Sequence, residues 1–598
     1  MLLQILASHS IVVKMVIDTA FSENCRLLQN YENIGSSASP LPRRPWSSGI
    51  QSGTIIIFAY MKRISIIITL FCLSAGAWAQ SGNFTLGKWT EIHAALLKEL
   101  SKSYVDSLPV DKIERRGVDA MLSGLDPYTV YIPEEENEDL QMLIHKTYGG
   151  VGAVIYKPET SGNVIINEPY EGSPAAKSGL VCGDEIMEID GQTVVGLTSQ
   201  QCSEKMRGDP GTTVKFKVKK IRGGQTTEVT VLREKIRIPD IEFAGMIGDG
   251  VGYISQTGFT DGVGKEMREA VTRLKKEGMQ TLVLDLRGNG GGLMNEAAEI
   301  VSIFVPKGSL VVSAKGREAD SDYELRTRRE PVDTKMPLIV LVDSGSASSS
   351  EIVAGALQDM DRATIMGQRT FGKGLVQSIK SLPYGGELKV TTAKYYTPSG
   401  RCVQALDYSH RNEDGSVSQI PDSLTREFKT AHGRTVRDGG GITPDVKLAE
   451  KSYSRLTYAL VAYGIMEYYA LEYVRAHESI APVDEFHLSD ADYDEFVKFA
   501  CGKEFDYRSS AKTYFDKVKE ELEKDGLKET LAPQIEALDK AIDMEKEEFL
   551  RLKKDEIVPF IEEEIVVRYY FQQAGVKIRI RYDDALKEAL HSPRIQQY

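Results

Sequence analysis

A serine and a lysine in two glycine-containing motifs are the residues of this chain best suited to nucleophilic chemistry. Ser348 lies in GSASSSE at 345–351 and Lys373 lies in RTFGKGLVQ at 369–377, and neither motif contains a histidine. A small-residue turn can expose a serine, and a lysine that burial keeps neutral can take the serine's proton. The pair therefore predicts a hydrolase that works through a Ser-Lys dyad.

The segment around Ser348 predicts a strand followed by a helix. Leu338–Val342 is an apolar run typical of a buried strand, and a helical pattern runs from about Ser348 to Gln358. Unpaired N–H groups and the dipole at the helix start would favour a developing oxyanion. A serine-rich helix N-cap is common and explains the same residues, so the turn alone leaves both interpretations open.

Lys373 is flanked by Gly372 and Gly374, and an apolar strand follows it. The glycines allow close approach of backbone, which would desolvate the lysine and lower its pKa toward that of a useful base. If the segment is a strand, Gln377 faces the same side as Lys373, and its amide could orient the amine. The alternative is a surface lysine beside a glycine loop, but the spacing matches no Walker motif, which disfavours a nucleotide site.

A second glycine-rich turn, DLRGNGGG, occupies residues 285–292. It could present a backbone N–H group to the oxyanion. It could equally be a plain strand-to-helix turn in which Asp285 and Arg287 form a structural ion pair.

The positions of apolar residues predict four regions after the N-terminal segment. Residues 80–147 have helical spacing, 148–235 form a β-rich module, 236–450 alternate strands with helices, and 451–598 are mostly helical with a kink expected at Pro559. The β-rich module resembles a PDZ domain in the order of its strands, its short helix and its Asp190-Gly191 hairpin turn.

Length and charge exclude some classes of function. A chain of 598 residues is long enough for several domains, and its net charge of −13 argues against nucleic acid as the main partner. The cysteines and histidines form no cluster with metal-ligand spacing, so we predict neither a metal nor another cofactor.

Residues 61–80, MKRISIIITLFCLSAGAWAQ, have the organisation of a secretory signal peptide. A basic start, a short apolar run and the small-residue site before Gln80 predict cleavage between Ala79 and Gln80. Residues 1–60 are then an upstream extension from a misassigned start codon; the alternative is a cytoplasmic extension before a membrane anchor. Export implies an oxidising compartment, in which we expect four buried free thiols rather than a Cys182–Cys202 disulfide.

The motifs taken together resemble the carboxyl-terminal processing peptidases, also called tail-specific proteases. The matching segments appear in the family's order over about residues 90–447: LSGLDPYTVYIP at 122–133, the PDZ module, DLRGNGGG at 285–292, GSASSSEIVAGALQD at 345–359, RTFGKGLVQ at 369–377 and TTAKYYTPSGR at 391–401. The resemblance implies an α+β multidomain fold, with a helical N-terminal region, a PDZ domain, an α/β peptidase core of the ClpP and crotonase type, and a helical C-terminal domain.

The resemblance also implies roles for individual residues. Ser348 would be the nucleophile, Lys373 the general base and Gln377 its positioning residue. The backbone N–H groups of Gly292 and Ser349 would form the oxyanion hole. The PDZ loop Gly149, Gly150, Val151 and Gly152 would hold the substrate's C-terminal tail.

Two departures from the family pattern bear on the site. Ser349 stands where the family mostly has alanine, but a serine still offers its backbone N–H group, so we expect activity to survive. The stretch Ala405–Arg437 is longer and more polar than the family minimum and could lie near the substrate channel.

The resulting hypothesis is a serine endopeptidase of the bacterial periplasm that cleaves proteins with exposed C-terminal tails. Peripheral association with a membrane and homo-oligomerisation stay open. Two rival hypotheses are a PDZ-bearing binding scaffold without catalytic activity and an esterase or amidase on the same core. The intact Ser348, Lys373 and Gln377 argue against the first, and the tail-binding module argues against the second.

Overall fold

Helices open the described part of the chain. This computed structural model describes residues 84–157, 162–412 and 414–592, except for the side chains of residues 143, 319 and 422, and the predicted upstream extension and signal peptide lie outside that part. The first elements are α1 (residues 84–103), α2 (Val110–Ser123), β1 (Val130–Ile132), α3 (Asn137–His145) and β2 (Thr147–Gly150).

The next module is an antiparallel sheet with two short helices. Its elements are β3 (Ala153–Tyr156), β4 (Val164–Pro169), α4 (Pro174–Lys177), β5 (Glu185–Ile189), β6 (Gln192–Thr193), α5 (Ser199–Met206), β7 (Thr213–Lys219) and β8 (Thr226–Leu232). The strand order is β3-β4-β5-β7-β8, with β6 paired to β5. Asp190 and Gly191 both have positive φ, as the predicted hairpin turn between β5 and β6 requires. Strand β9 (Glu234–Arg237) then pairs with β2, so the chain enters and leaves the module side by side.

The α/β core follows in two sheets. Its strands are β10 (Ile241–Gly248), β11 (Val251–Gln256), β12 (Thr281–Asp285), β13 (Leu310–Gly316), β14 (Tyr323–Arg326), β15 (Leu338–Val342), β16 (Thr364–Gly367), β17 (Leu375–Ser381), β18 (Glu387–Tyr396), β19 (Leu406–Arg411), β20 (Val417–Gln419), β21 (Glu427–Lys429), β22 (Thr435–Arg437) and β23 (Val446–Lys447). Its helices are α6 (Val263–Lys276), α7 (Met294–Val301) and α8 (Ser349–Asp359).

The larger sheet has the order β10-β11-β12-β15-β16-β23, and every neighbouring pair except β10 and β11 is parallel. Helices α6, α7 and α8 supply the apolar side chains that pack on one face. Parallel strands covered on both faces carry nearly continuous apolar runs, which explains why Leu338–Val342 is buried at every position. The second sheet has the order β1-β18-β13-β14, with β17 also paired to β18.

A helical domain ends the described chain. Its helices are α9 (Arg455–Ala462), α10 (Ile465–Ala476), α11 (Asp490–Cys501), α12 (Ser510–Lys524), α13 (Ala532–Ile542), α14 (Lys546–Leu552), α15 (Lys554–Arg581) and α16 (Asp584–Leu590). Pro559 lies inside α15, but the residue that leaves the helical backbone region is Phe571, at φ 63° and ψ −178°. The kink expected at Pro559 is therefore replaced by a break twelve residues later.

The helical domain contacts both preceding modules. Val576, Leu586 and Ala589 pack against the second face of the larger core sheet. Leu471 and Val474 of α10 form a separate apolar cluster with Cys182 and Ile221 of the β-rich module. In the described part of the chain, no helix combines the length and the apolar character needed to cross a membrane.

Candidate active site

The turn that carries Ser348 is fixed from both sides. The carboxylate of Asp343 accepts hydrogen bonds from the backbone N–H groups of Gly345, Ser346 and Gly288, at 2.8–3.0 Å. The buried hydroxyl of Ser346 donates to the carbonyl of Leu286 at 2.7 Å. These bonds join the turn after β15 to the glycine-rich turn after β12.

Ser348 occupies a strained backbone conformation at the start of α8, with φ 54° and ψ −113°. An ordinary N-cap residue has extended backbone angles, whereas positive φ is costly for a residue with a side chain. Strain of this kind persists only where the surroundings enforce it, and it is concentrated at functional sites. The geometry therefore favours a presented nucleophile over the plain N-cap alternative.

Glu351 joins the serine turn to the lysine loop. Its carboxylate, completely buried, accepts hydrogen bonds from the backbone N–H groups of Ser348 (2.9 Å), Gly372 (2.8 Å) and Lys373 (2.8 Å) and from the Thr370 hydroxyl (2.6 Å). Burial raises the pKa of Glu351 to about 7, while the hydrogen bonds from Thr370, Lys373 and Ser348 act in the opposite direction. The S-x-x-E spacing at 348–351 is the sequence signal that could have drawn attention to Glu351.

Lys373 lies in the loop just before β17. Burial lowers the pKa of its ammonium group below the usual value, the positive charge of Lys389 lowers it further, and Glu351 and Asp126 oppose the shift. Its Nζ atom lies 4.4 Å from the centre of the Tyr128 ring. The setting is that of a desolvated lysine, as the flanking glycines predict.

Tyr128 is held rigidly over Lys373 by its own segment. Asp126 accepts hydrogen bonds from the backbone N–H groups of Tyr128 and Thr129, both at 2.8 Å, and from the Thr129 hydroxyl at 3.0 Å. The Tyr128 ring also meets Tyr408 of β19 edge to face. This segment belongs to a motif that resembles the family's and to which the sequence assigns no role; in the structure it lies beside Lys373, the predicted base. The structure also places the start of the long Ala405–Arg437 stretch beside the same site.

Gln377 lies on β17, but its side-chain amide donates a hydrogen bond to Thr391 rather than to Lys373. Its Nε2 atom donates to the Thr391 hydroxyl at 3.2 Å. Lys373 lies in the loop before β17, which begins at Leu375, and it follows Gly372 at φ 87°, so the strand alternation that would put Gln377 and Lys373 on one face does not extend to Lys373. The positioning role predicted for Gln377 stays a prediction.

The glycine-rich turn lies directly against Ser348, the predicted nucleophile. Gly291 has φ 97°, and a side chain there would come within 2.7 Å of the Ala347 carbonyl and 2.8 Å of the Ser348 Cβ. The hydroxyl of Ser349 donates to the Gly292 carbonyl at 2.8 Å. The two residues predicted as oxyanion donors are thus bonded to each other beside Ser348, and their role stays a prediction.

Arg287, near the start of this turn, forms a cluster of ion pairs. Its guanidinium pairs with Asp285 and with Asp583 of the helical domain. Asp285 also accepts a hydrogen bond from the buried Tyr253 hydroxyl at 2.6 Å. The structural pairing considered for Asp285 and Arg287 is present, and it coexists with the position of the glycines beside Ser348.

The predicted tail-binding residues are only partly a loop. Gly149 and Gly150 belong to β2 and pair with β9, whereas Val151 and Gly152 connect β2 to β3. Gly152 has φ 74°, and a side chain there would meet the Ser173 Cβ at 2.6 Å. The connection leads into β3, which is one of the two edge strands of its sheet and contacts α5.

The four described cysteines are unpaired. Cys182 and Cys202 are buried, as expected, whereas Cys402 and Cys501 are only half-buried. Within the described residues, no group of three or more His, Cys, Asp or Glu side chains is arranged to hold a metal ion.

Comparison with known proteins identifies the chain's modules. Residues 250–408 match the model of peptidase family S41, 165–220 match the PDZ domain, and 456–592 match the probable PDZ-protease C-terminal helical domain. The carboxy-terminal-processing protease of Bartonella bacilliformis is 33% identical over 315 residues, which cover 52% of this chain and 71% of that protein. This chain belongs to the carboxy-terminal processing peptidases of family S41.

A further curated relative and a solved structure are similar to this chain. The carboxy-terminal processing protease CtpA of Bacillus subtilis is 29% identical, over 60% of this chain and 75% of that protein. The solved photosystem II D1 C-terminal processing protease is 27% identical, with a TM-score of 0.31, over 59% of this chain and 90% of that chain.

The matches confirm three predictions from the sequence. The family is the predicted one, the chain is a serine-type peptidase, and the fold is a mixed α and β one with a PDZ domain before the peptidase core and a helical domain after it.

Proposed function

We propose that this peptidase is an exported endopeptidase that captures exposed C-terminal tails on its PDZ domain and cleaves peptide bonds through Ser348 and Lys373. One observation carries the catalytic part. The buried carboxylate of Glu351 binds the backbone N–H groups of both residues, so it ties a strained serine turn to the loop of a desolvated lysine.

Catalysis begins when neutral Lys373 removes the hydroxyl proton of Ser348 and the serine oxygen attacks the scissile carbonyl carbon. The N–H groups of Gly292 and Ser349 stabilise the oxyanion. The C–N bond then breaks as Lys373 returns its proton to the leaving amine, which leaves an ester on Ser348. A water molecule gives a proton to Lys373 and attacks the ester, and the acid product leaves as Ser348 regains its proton.

The capture step follows from the PDZ sheet. Strand β3 lies at the edge of this sheet, and α5 lies beside it. An extended tail can add to such an edge as a further strand. Binding of a tail peptide by the Ser348→Ala protein tests this step: the free carboxylate should bind, and the same peptide with an amidated end should bind at least about tenfold more weakly. Equal binding of the two would contradict capture of C-termini.

Cleavage is tested with the purified protein without residues 1–79. The wild type should degrade an unstructured protein with an apolar tail and should react with a fluorophosphonate probe. Ser348→Ala should lose both activities and Lys373→Ala should lose cleavage. Undiminished cleavage by Ser348→Ala would refute the dyad, and a folded wild type that neither cleaves nor labels would favour a binding scaffold.

Export rests on the segment MKRISIIITLFCLSAGAWAQ at 61–80. N-terminal sequencing of the protein isolated from its own cells checks it. We expect the mature chain to begin at Gln80, in the periplasm, and a mature chain that keeps residues 1–60 would contradict both the processing and the misassigned start.

A further inference from the structure

A buried carboxylate outside the dyad holds the segment that supports the glycine-rich turn. Asp240, in the connection between β9 and β10, is 2% exposed. Its Oδ2 atom accepts hydrogen bonds from the backbone N–H (2.6 Å) and the hydroxyl (2.5 Å) of Thr260, and its carbonyl accepts one from the backbone N–H of Thr257 (2.8 Å). Asp240 thereby fixes both ends of the turn formed by residues 257–260.

Lys146 supplies the opposite charge. Its Nζ atom lies 2.6 Å from Oδ1 of Asp240, and its own carbonyl accepts a hydrogen bond from the backbone N–H of Ile238 at 2.9 Å. A side chain on Gly258 would lie 2.6 Å from Oδ1 of Asp240 and 3.1 Å from the Lys146 ammonium, so the turn packs directly onto the ion pair. The Asp240 side chain is buried while that of Lys146 is 28% exposed, so removing the lysine leaves a buried carboxylate without its counter-charge, and the position of this turn depends on both residues.

The opposite side of residues 257–260 contacts the glycine-rich turn at 285–292, which lies beside Ser348. Leu293 donates its backbone N–H to the Phe259 carbonyl at 2.8 Å, and Phe259 forms a parallel β-bridge with Gly292. The Asn289 amide donates to the Gln256 carbonyl at 2.8 Å. Gly292 itself has φ 152°, and any side chain there would meet the Phe259 carbonyl at 2.5 Å. The carbonyls of residues 256 and 259 therefore set where the predicted oxyanion donor lies.

We propose that Asp240, paired with Lys146, is a positioning residue for the oxyanion hole. It does not touch substrate; it acts through residues 257–260 on the backbone of Gly292. This inference rests on the proposed function, because it needs Gly292 to be an oxyanion donor. An error of about 1 Å in the position of such a group can lower a rate about a hundredfold.

The test separates oxyanion stabilisation from substrate binding. In Asp240→Ala we expect kcat to fall about 10- to 100-fold with KM within about twofold, because a donor that acts only on the oxyanion contributes to kcat rather than to substrate binding. Affinity for a peptide boronate, which forms a tetrahedral adduct at Ser348, should fall by a similar factor. Tail-peptide binding measured on the Ser348→Ala background should not change.

Variants of Lys146, the ion-pair partner of Asp240, allow the same test if Asp240→Ala folds poorly. Lys146→Met should lower kcat and boronate affinity by a smaller factor, about 3- to 10-fold, because Asp240 keeps its bonds to Thr260, and Lys146→Arg should restore both. The matched control is Lys275→Met, which removes a Lys–Asp pair with Asp333 elsewhere in the same core. It should leave kcat and boronate affinity unchanged.

Two results would overturn the inference. One is unchanged kcat and boronate affinity in folded Asp240→Ala and Lys146→Met. The other is a loss of tail-peptide binding in Asp240→Ala as large as the loss of kcat, which would indicate general damage to the fold. Neither result would contradict the proposed Ser348–Lys373 dyad. That proposal fails separately, if Ser348→Ala still cleaves substrate.

Discussion

The charge state of Lys373 decides when the proposed base is active. Burial and the positive charge of Lys389 both lower the pKa of Lys373, so the neutral amine becomes available at lower pH than for a solvated lysine. The rate should therefore rise with pH and level off above the pKa of Lys373, which lies below its usual value. Because this folded pKa lies below that of the unfolded chain, the site should also gain stability as pH rises through the interval between them.

Lys389→Gln tests this electrostatic account. Removing the like charge raises the pKa of Lys373, so the rising limb of the kcat/KM profile should move to higher pH, with the plateau within about twofold of the wild type. The measurement is a pH profile with a short peptide substrate. Lys380→Gln, the same charge change on the neighbouring strand β17, should leave the limb in place. Equal shifts in both variants, or a shift in neither, would contradict a specific effect of Lys389.

Glu351 supports both members of the proposed dyad, so its loss should affect structure and rate together. The Glu351 carboxylate accepts hydrogen bonds from four N–H and O–H groups. In Glu351→Gln one of its oxygens becomes an NH₂ group, which faces some of these donors and cannot accept from them. Above the pKa of about 7, where the Glu351 carboxyl is ionised, each lost charged hydrogen bond costs about 1.5–3 kcal/mol, so we expect the free energy of unfolding to fall there by about 2–4 kcal/mol. Cleavage should fall at least about a hundredfold, since the two loops lose their common anchor.

Glu562→Gln is the matched control for this prediction. Glu562 is equally buried, in the helical domain, and accepts hydrogen bonds from the Leu488 backbone N–H and the Tyr582 hydroxyl. Its substitution should lower stability by a similar amount without lowering cleavage per folded molecule. Denaturant unfolding and fluorophosphonate labelling measure the two effects. A Glu351→Gln protein that labels at the wild-type rate would show that the anchor is dispensable.

At the scale of elements, the start of α8 and the glycine-rich turn form one unit through Ser349. Its hydroxyl donates to the Gly292 carbonyl, a bond that the alanine usual in the family cannot make. A neutral hydrogen bond contributes about 0.5–1.5 kcal/mol, so Ser349→Ala should lower kcat by less than about tenfold and leave KM unchanged. Ser302→Ala, which removes a buried serine's bond to the Glu299 carbonyl on α7, should leave kcat unaltered.

A loss of kcat beyond a hundredfold in Ser349→Ala would contradict this interpretation, since one neutral bond cannot account for it. An unchanged kcat would show that the turn's other hydrogen bonds, among them those of Asn289 and Leu293, hold it without Ser349. The measurement is steady-state cleavage of a tailed protein, with KM and kcat determined separately.

Elements with strong local signals were predictable from the sequence. Strand β15 lies at the predicted residues because five consecutive apolar residues are bounded by a polar turn, and helix α8 begins one residue after its predicted start. The break at Phe571 was not predictable, because no local residue preference favours positive φ at a phenylalanine. Tertiary packing, which a single sequence does not display, decides such positions.

The same distinction applies to the site. Ser348 and Lys373 stand out because glycines and a helix start surround them, which are local features. The contact of Tyr128 with Lys373 joins residues 245 positions apart, so no spacing in the sequence indicates it. The role inferred for Gln377 assumed that a regular strand runs from Lys373 to Gln377, but the strand begins only at Leu375.

For the whole molecule, the helical domain links the PDZ domain to the rest of the chain. Leu471 of α10 packs on Cys182 and Ile221, and Arg222 lies over the Tyr569 ring at 5.4 Å. A side chain on Gly183 would come within 3.0 Å of Leu471. The two domains also meet where the Gln572 amide donates to the Glu168 carboxylate at 2.7 Å. The PDZ domain is therefore docked through a small apolar cluster with a polar margin.

Cys182 makes this docking measurable. Its thiol is 4% exposed, and burial raises its pKa to about 12, so at neutral pH it should react slowly with iodoacetamide. Leu471→Asp places a charge inside the apolar cluster, which costs several kcal/mol unless the two surfaces separate. We expect Cys182 to be alkylated at least about tenfold faster in Leu471→Asp, because separation exposes the thiol and restores a normal pKa.

Two controls distinguish separation from unfolding. Cys202 is fully buried in the PDZ domain's own core, so it should stay unreactive in Leu471→Asp if the domain merely undocks. Val461→Asp adds the same charge at an exposed position of α9 and should leave Cys182 protected. Mass spectrometry of the alkylated peptides separates these thiols from the half-buried Cys402 and Cys501. If Cys182 and Cys202 became reactive together, the variant would have unfolded the PDZ domain, and the docking surface would be part of its stability rather than a separate joint.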